Sequence, residues 1–143
     1  LKEWEGKEMS QNLFTYRIQT SGKQSLTNID VYLEDALTKS GVKDGILVVF
    51  CPHTTAAITI NENADPDVQK DMNWGYTDTF PNKGSYRHSE GNSDAHIKSS
   101  LTGVSETIIV TEGRMLLGTW QSIYFWDYDG PRNRKFHVKI IAG

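Results

Sequence analysis

The sequence predicts an α+β domain in which sheet packs against helices or against a second sheet. Three observations carry that expectation. Ile29, Tyr32, Leu33, Ala36 and Leu37 fall at i, i+3, i+4, i+7 and i+8, a complete helical stripe. Residues 46–51, ILVVFC, form an unbroken apolar run rich in β-branched types, as in a strand buried on both faces. Near the C-terminus, residues 107–111, about 116–127 and 136–141 read as three closing strands.

In chain order, residues 1–11 read as frayed or lightly tied down. Residues 13–19 alternate as a strand, Ser21-Gly22-Lys23 makes a turn, and a short strand follows around 24–26. The helix is placed over 27–41, with Thr27 and Asp30 as a capping box that has Asp in place of Glu, and Gly41 as its end. Asp44-Gly45 turns the chain into the apolar run, and Pro52 breaks its ladder. Residues 54–60 return as a strand, with Ile58 and Ile60 on one face and Ala57 and Thr59 on the other. Asp65 caps a second helix, Pro66 fits its first turn, Val68 and Met72 face inward and Gly75 stops it. Residues 76–91 show no periodicity, and a loop of that length is more often a lid or binding loop than an idle connection. A third helix starts at Asn92 or Ser93, carries Ile97 and Leu101 four apart, and closes at Gly103. With no repeat, linker or low-complexity tract, residues 1–143 read as a single domain.

Composition narrows the partners. The net charge of −3, from 15 basic and 18 acidic residues, does not suggest a nucleic-acid or anionic-membrane protein. Apolar residues make up 37%, with four Trp, six Tyr and five Phe, enough for a 143-residue chain to bury a core. Cys51 is the only cysteine, so neither an internal disulfide nor a cysteine-rich zinc site is available. No run reaches the ~18 apolar residues of a membrane span. No N-terminal stretch has the pattern of a signal peptide, so a cytoplasmic location is expected.

Residues 86–103, YRHSEGNSDAHIKSSLTG, hold two of the four histidines. His88 lies on a loop of small and polar residues and His96 on the first turn of the helix after it. Free N–H groups and the positive dipole end would lie beside them, which favours an anion. Their spacing matches no tight metal motif, and each has an ordinary alternative as a surface or hydrogen-bonded residue. His53 follows Pro52 at the end of the apolar run. It is either satisfied by a backbone carbonyl or presented to a site together with the Thr54 and Thr55 hydroxyls. Three neutral imidazoles meeting at one point, His53, His88 and His96, would bind a divalent metal such as Zn or Mg and leave one position open. Glu62 and Glu90 would then act as proton acceptors or orient the ligands. His137 shares a face with Lys139 and reads as outside the site.

A third constellation is Trp120-Gln121 followed by Asp127-Tyr128-Asp129-Gly130-Pro131-Arg132. It is either an edge turn held by an Asp–Arg pair or an arginine held so that its fork faces a phosphate or carboxylate. Trp120 and Gln121 would line the pocket. No nucleotide-binding glycine loop is present, so a phosphate would be held by Arg132, the threonine hydroxyls and a helix start at Asn92, with no nucleotide cofactor.

These residues resemble the YjbQ-like family of secondary thiamine-phosphate synthases. The matching blocks are His53-Thr54-Thr55-Ala56-Ala57 with Ile60-Asn61-Glu62-Asn63-Ala64-Asp65-Pro66, then HSEGNSDAH from His88 to His96. The last is Gly118-Thr119-Trp120-Gln121-Ser122-Ile123 with Asp129-Gly130-Pro131-Arg132. The likeness spans about residues 12–142. It implies two packed, mostly antiparallel sheets with about three helices in the order ββαββα(α)βββ, a histidine-lined pocket and a homotrimer. It also implies a weak or secondary thiamine-phosphate synthase activity, which joins a pyrimidine methyl diphosphate to a thiazole phosphate. Two other readings stay open: a metal-assisted hydrolase of a small phosphorylated or acyl substrate, and a non-catalytic ligand-binding module. For the trimer there is a physical argument as well. Trp120, Tyr124 and Trp126 point to one face of their strand and Ile123 and Phe125 to the other, so both faces need cover.

Overall fold

The computed structural model describes residues 6–143. Its elements run β1 (Lys7–Ser10), β2 (Leu13–Gln19), β3 (Ser25–Asn28), α1 (Asp30–Ser40), β4 (Gly45–Phe50), β5 (Ala56–Glu62), α2 (Pro66–Thr79), α3 (Ser93–Thr102), β6 (Ser105–Thr111), β7 (Arg114–Met115), β8 (Gln121–Asp127) and β9 (Asn133–Ala142). The strands form two antiparallel sheets, ordered β1-β2-β9-β4-β6-β7 and β3-β8-β5. The α+β class, the two sheets and the three helices are as expected. The order gains two short strands. β1 falls within the stretch read as frayed, of which residues 1–5 lie outside the described residues. It pairs with β2 in antiparallel register at the edge of the large sheet. β7 is only two residues long.

The main core lies between the large sheet on one side and the small sheet with α1 on the other. Phe14, Tyr16, Leu47, Val49, Phe136 and Val138 meet Ile58, Ile123 and Phe125 and the α1 residues Leu33, Ala36 and Leu37. The α1 stripe is therefore inward as the periodicity predicts, and Gly41 ends the helix in the left-handed conformation. The capping box does not form. Thr27 is already in β3, and Asp30 accepts instead from the Ile123 N–H and the Ser122 hydroxyl, which ties the helix start to β8.

A second, smaller cluster lies on the other face of the small sheet. Ala57, Trp126 and Tyr128 pack there with Ala95 of α3 and Met72 and Tyr76 of α2. Tyr76 stacks on Trp126 at 4.4 Å, and the Trp126 indole donates to Asn73 Oδ1. This contact carries α2 past Gly75 to Thr79. One glycine costs a helix roughly 1 kcal/mol, which the Tyr76 stack, worth about 0.5–1.5 kcal/mol beyond its burial, offsets.

β8 is buried on both faces by the chain itself. Ile123 and Phe125 lie in the main core, and Tyr124 and Trp126 lie under α2. Trp120 precedes the strand and is exposed. The second face, for which a neighbouring chain is one expected cover, is thus covered by α2. β4, by contrast, is buried on one face only. Leu47 and Val49 point inward, and Ile46 and Phe50 are exposed. In register, Ile109, Ile46 and Ile141 form an apolar row on the outside of the large sheet. A Cβ at Gly45 would run into the backbone carbonyl of Ile141, so the tight β4–β9 approach requires glycine there.

α3 buries its polar face and leaves its apolar pair exposed. Its buried residues are Asp94, Ala95, Lys98 and Ser99, while Ile97 and Leu101 face out. The polar face can go in because it is paired. Lys98 Nζ meets Asp94 Oδ2 at 3.2 Å and Gln24 Oε1 at 3.0 Å, and Ser99 donates to the Ala56 carbonyl at 2.7 Å.

Candidate functional site

One end of the small sheet supplies the site. The segment after β4 carries Cys51, Pro52, His53, Thr54 and Thr55. β8 ends in Asp127, the turn to β9 carries Asp129 and Arg132, and β9 begins near Arg134. The buried centre is a fork between Arg134 and Asp127, whose side chains are 5% and 0% exposed. Arg134 Nη2 and Nε reach the two carboxylate oxygens at 2.7 and 3.1 Å, and Nη2 also donates to Thr55 Oγ1 at 2.8 Å. Asp127 also accepts from the Thr20 hydroxyl at 2.6 Å and the Asp129 N–H at 2.9 Å. Burial alone pushes its carboxyl up. The donors from Arg134, Thr20 and Asp129 outweigh that and hold it below the usual aspartate value.

From this centre the turn is built outward. The Asp129 carbonyl accepts from Arg132 Nε at 2.7 Å, and its carboxylate accepts from Arg132 Nη2 at 2.9 Å. The same carboxylate oxygen takes the Asn92 amide at 2.8 Å, linking the turn to the start of α3. The turn is tight enough to need glycine. A Cβ at Gly130 would lie 2.6 Å from the Gly22 carbonyl oxygen and 2.9 Å from Asp127 Oδ2.

Across from the turn, the loop before α3 brings His88 to His96, ring edge to ring face at 5.4 Å. The Gly91 N–H closes the loop on the His88 carbonyl, with Gly91 in the left-handed region at φ +71°. Asn92 occupies the N-cap position, but its side chain does not cap the helix. Its Nδ2 is committed to Asp129, and its Oδ1 is buried without a donor among the described residues.

These groups enclose an open, polar cavity of about 430 Å³, lined by Pro52, His53, Thr54, Thr55, His88, Glu90, Asn92, His96, Asp129, Arg132 and Arg134. Eight of the residues singled out in the sequence therefore meet. Glu62, Trp120 and Gln121 do not. Glu62 ends β5 opposite Gln121, six residues beyond Ala56, or about 20 Å along the strand. There Gln121 accepts the Gly118 N–H, and the Trp120 carbonyl accepts the Asn63 N–H. The structure gives these three residues a role in closing the far turn. The block containing them is contiguous in sequence with the site turn only through a full-length strand, and that length separates them. His137 is outside the cavity, bonded to Thr15.

The residues present do not fit a three-histidine metal centre. Among the described residues, no three His, Cys, Asp or Glu side chains are grouped to hold an ion. His53 shows one reason. Its Nε2 accepts the Lys135 N–H at 3.0 Å, which assigns the neutral ring a proton on Nδ1 and leaves no free lone pair. Burial, then the nearby Arg134 charge, lowers its pKa below the ordinary imidazole value. So His53 is satisfied by the backbone, though by an N–H and not by the expected carbonyl. Cys51 is no nucleophile at neutral pH, because burial pushes its thiol up to about 11.

Sequence reasoning missed Arg134 and the role of Asp127 as its partner. A signal was present: Arg134 is in phase with Phe136, Val138 and Ile140, all inward-facing in β9. An arginine in step with a core face demands a buried carboxylate.

The comparisons agree along nearly the whole chain. Residues 14–143 match the family model described as UPF0047 protein YjbQ-like. A UPF0047 protein of Methanocaldococcus jannaschii is 54% identical, over 91% of this chain and 94% of its own length. The UPF0047 protein YugU of Bacillus subtilis is 46% identical, over 91% and 99%. Among solved structures, a YjbQ/UPF0047 protein of Clostridium acetobutylicum superposes with a TM-score of 0.87 at 54% identity, covering 89% of this chain and 98% of that one. A YbjQ-like protein of unknown function from Sulfolobus solfataricus gives 0.87 at 30% identity, over 92% and 96%. No helix among the described residues is long and apolar enough to cross a membrane.

Proposed function

The chain belongs to the YjbQ-like UPF0047 family, and on that premise we propose that its polar cavity binds a small phosphorylated substrate for a condensation of the thiamine-phosphate synthase type. One observation carries this reading: Arg132, held by Asp129, faces the same cavity as His88, His96 and the start of α3. The Ser93 and Asp94 N–H groups at that helix start have no acceptor among the described residues. Fixed donors and a helix N-terminus around one polar space suit phosphate oxygens.

In the reaction, the thiazole nitrogen attacks the pyrimidine methylene carbon as its C–O bond to diphosphate breaks. The nitrogen takes the positive charge and the diphosphate leaves with the electron pair, so no proton has to move. Arg132, the two imidazoles and the α3 N–H groups stabilise the charge that develops on the leaving group. The test is formation of thiamine phosphate with release of diphosphate by the purified protein, and rescue of a thiamine auxotroph. Both are expected to fail in a His88→Ala/His96→Ala double variant. Equal rescue by the double variant would detach the cavity from the activity. A second reading is favoured by Glu90 and by the openness of the cavity to water: hydrolysis of a small phosphate or acyl ester with Glu90 as base. A substrate panel separates the two.

We also propose a homotrimer, with the Ile109–Ile46–Ile141 row as the apolar surface a second copy would cover. Light scattering at micromolar concentration is expected to give about three times the 16.2 kDa chain mass. A stable species at the chain mass would sink it.

A further inference from the structure

The outward-facing side of α3 is continuous with the polar cavity. Ile97 and Leu101 are 37% and 59% exposed, one helical turn apart. With Ser100 and His96 they line a shallow apolar shelf of about 420 Å³. His96 belongs to both spaces, since it also lines the cavity. Side chains on a helix lean toward its N-terminus, so Ile97 and Leu101 lean toward His96 and the cavity mouth. The cavity itself, apart from Pro52 and the imidazole rings, offers no apolar wall.

From these placements we propose that α3 carries a second subsite. The ligand is an amphiphilic phosphate monoester, with its phosphate at the start of α3 and its apolar body laid along Ile97 and Leu101. The inference rests on the reading of the cavity as a phosphate site, and adds the chemistry of the rest of the ligand. The orientation of the helix supports it: burial of the Asp94–Lys98 pair leaves two large apolar side chains facing out beside the anion-binding groups of the cavity. The rise from Ser93 to Leu101 is about 12 Å, which suits a six-carbon chain or a small aromatic system attached to the phosphate. The shelf is too short to seat a bilayer.

Isothermal titration calorimetry with inorganic phosphate, ethyl phosphate and hexyl phosphate tests this. One-sided contact is worth about half of full methylene burial, or about twofold per methylene, so hexyl phosphate, four methylenes longer, is expected to bind roughly fifteenfold tighter than ethyl phosphate. In an Ile97→Ser/Leu101→Ser variant that preference should vanish while inorganic phosphate binds as before. Both positions are exposed, so the fold is retained, and Leu116→Ser, at an exposed apolar residue outside the shelf, should keep the preference. No preference in the wild type, or one that survives the double substitution, overturns the subsite. So does an unchanged preference in a double variant that has lost its oligomeric state, which would give the shelf to a second copy. Co-sedimentation with phosphatidic acid vesicles, lost in the double variant, would give it to a membrane and also overturn the proposal. If no phosphate binds at all, the cavity reading itself has failed.

Discussion

Replacing Asp127 with alanine is expected to cost about 3–5 kcal/mol of folding stability, because it leaves the buried Arg134 guanidinium without its counter-charge. Four donors point at this carboxylate, and the substitution strands all of them. Thr55 Oγ1 is the only acceptor left for the guanidinium among the described residues, and one neutral hydroxyl does not compensate a buried cation. The exposed Lys70–Asp67 pair, with side chains 76% and 74% exposed, serves as the control. Asp67→Ala is expected to change stability by no more than about 1 kcal/mol. Urea denaturation of the three proteins decides it. A loss below about 1 kcal/mol for Asp127→Ala would mean that the arginine finds another route to water.

The same pair gives a pH dependence with a definite sign. The folded pKa of Asp127 lies below its unfolded value. Its contribution is complete above the ordinary aspartate value of about 4 and is lost as pH falls through the folded one. His53 acts in the same direction at higher pH. Its folded pKa is depressed too, so the stability it contributes is complete above about 6.5 and is lost as pH falls through the depressed value.

Periodicity made the α1 stripe, the inner face of β2 and the inner positions of β9 legible, since in each of them spacing and burial report one physical fact. It failed where a polar face goes inward as an ion pair. In α3 the i, i+4 pair Asp94 and Lys98 is buried, with Gln24, from before β3, as a second acceptor for the ammonium, while Asp94 Oδ1 has no partner among the described residues. In β4 an all-apolar run suggested two covered faces, but apolar character does not say whether the second cover is supplied within the chain. The site was legible to the extent that its residues fall at element ends. His53, Thr54 and Thr55 follow β4, His88 to His96 lead into α3, and Arg132 follows β8. The two carboxylates expected to hold an arginine do so, but they hold different ones: Asp127 takes Arg134 and Asp129 takes Arg132. Which acid meets which base is set by how the chain turns between β8 and β9: Asp127 and Arg134 face each other across the turn, and Asp129 and Arg132 pair within it.

The Asp129–Arg132 pairing matters for the second large effect. Arg132→Ala is expected to weaken binding of inorganic phosphate by roughly ten- to a hundredfold. That corresponds to the 1.5–3 kcal/mol typical of hydrogen bonds to a charged group. The competing source of affinity is the start of α3, whose dipole is typically worth about 0.3–1 kcal/mol, so the arginine dominates. Arg134 cannot replace it, because two of its nitrogens are committed to Asp127 and Thr55. Arg132→Lys is expected to recover only part of the loss. An ammonium can supply the charge, but it cannot donate at once to the Asp129 carbonyl and carboxylate in the planar geometry that fixes Arg132. Titration calorimetry at two salt concentrations reads both points. The alanine variant should bind weakly and with a shallower salt dependence, and the lysine variant should keep the wild-type salt dependence at intermediate affinity. Phosphate affinity within twofold of wild type in Arg132→Ala would show that the guanidinium serves only the turn it closes with Asp129, and the cavity would lose its main anion-binding group.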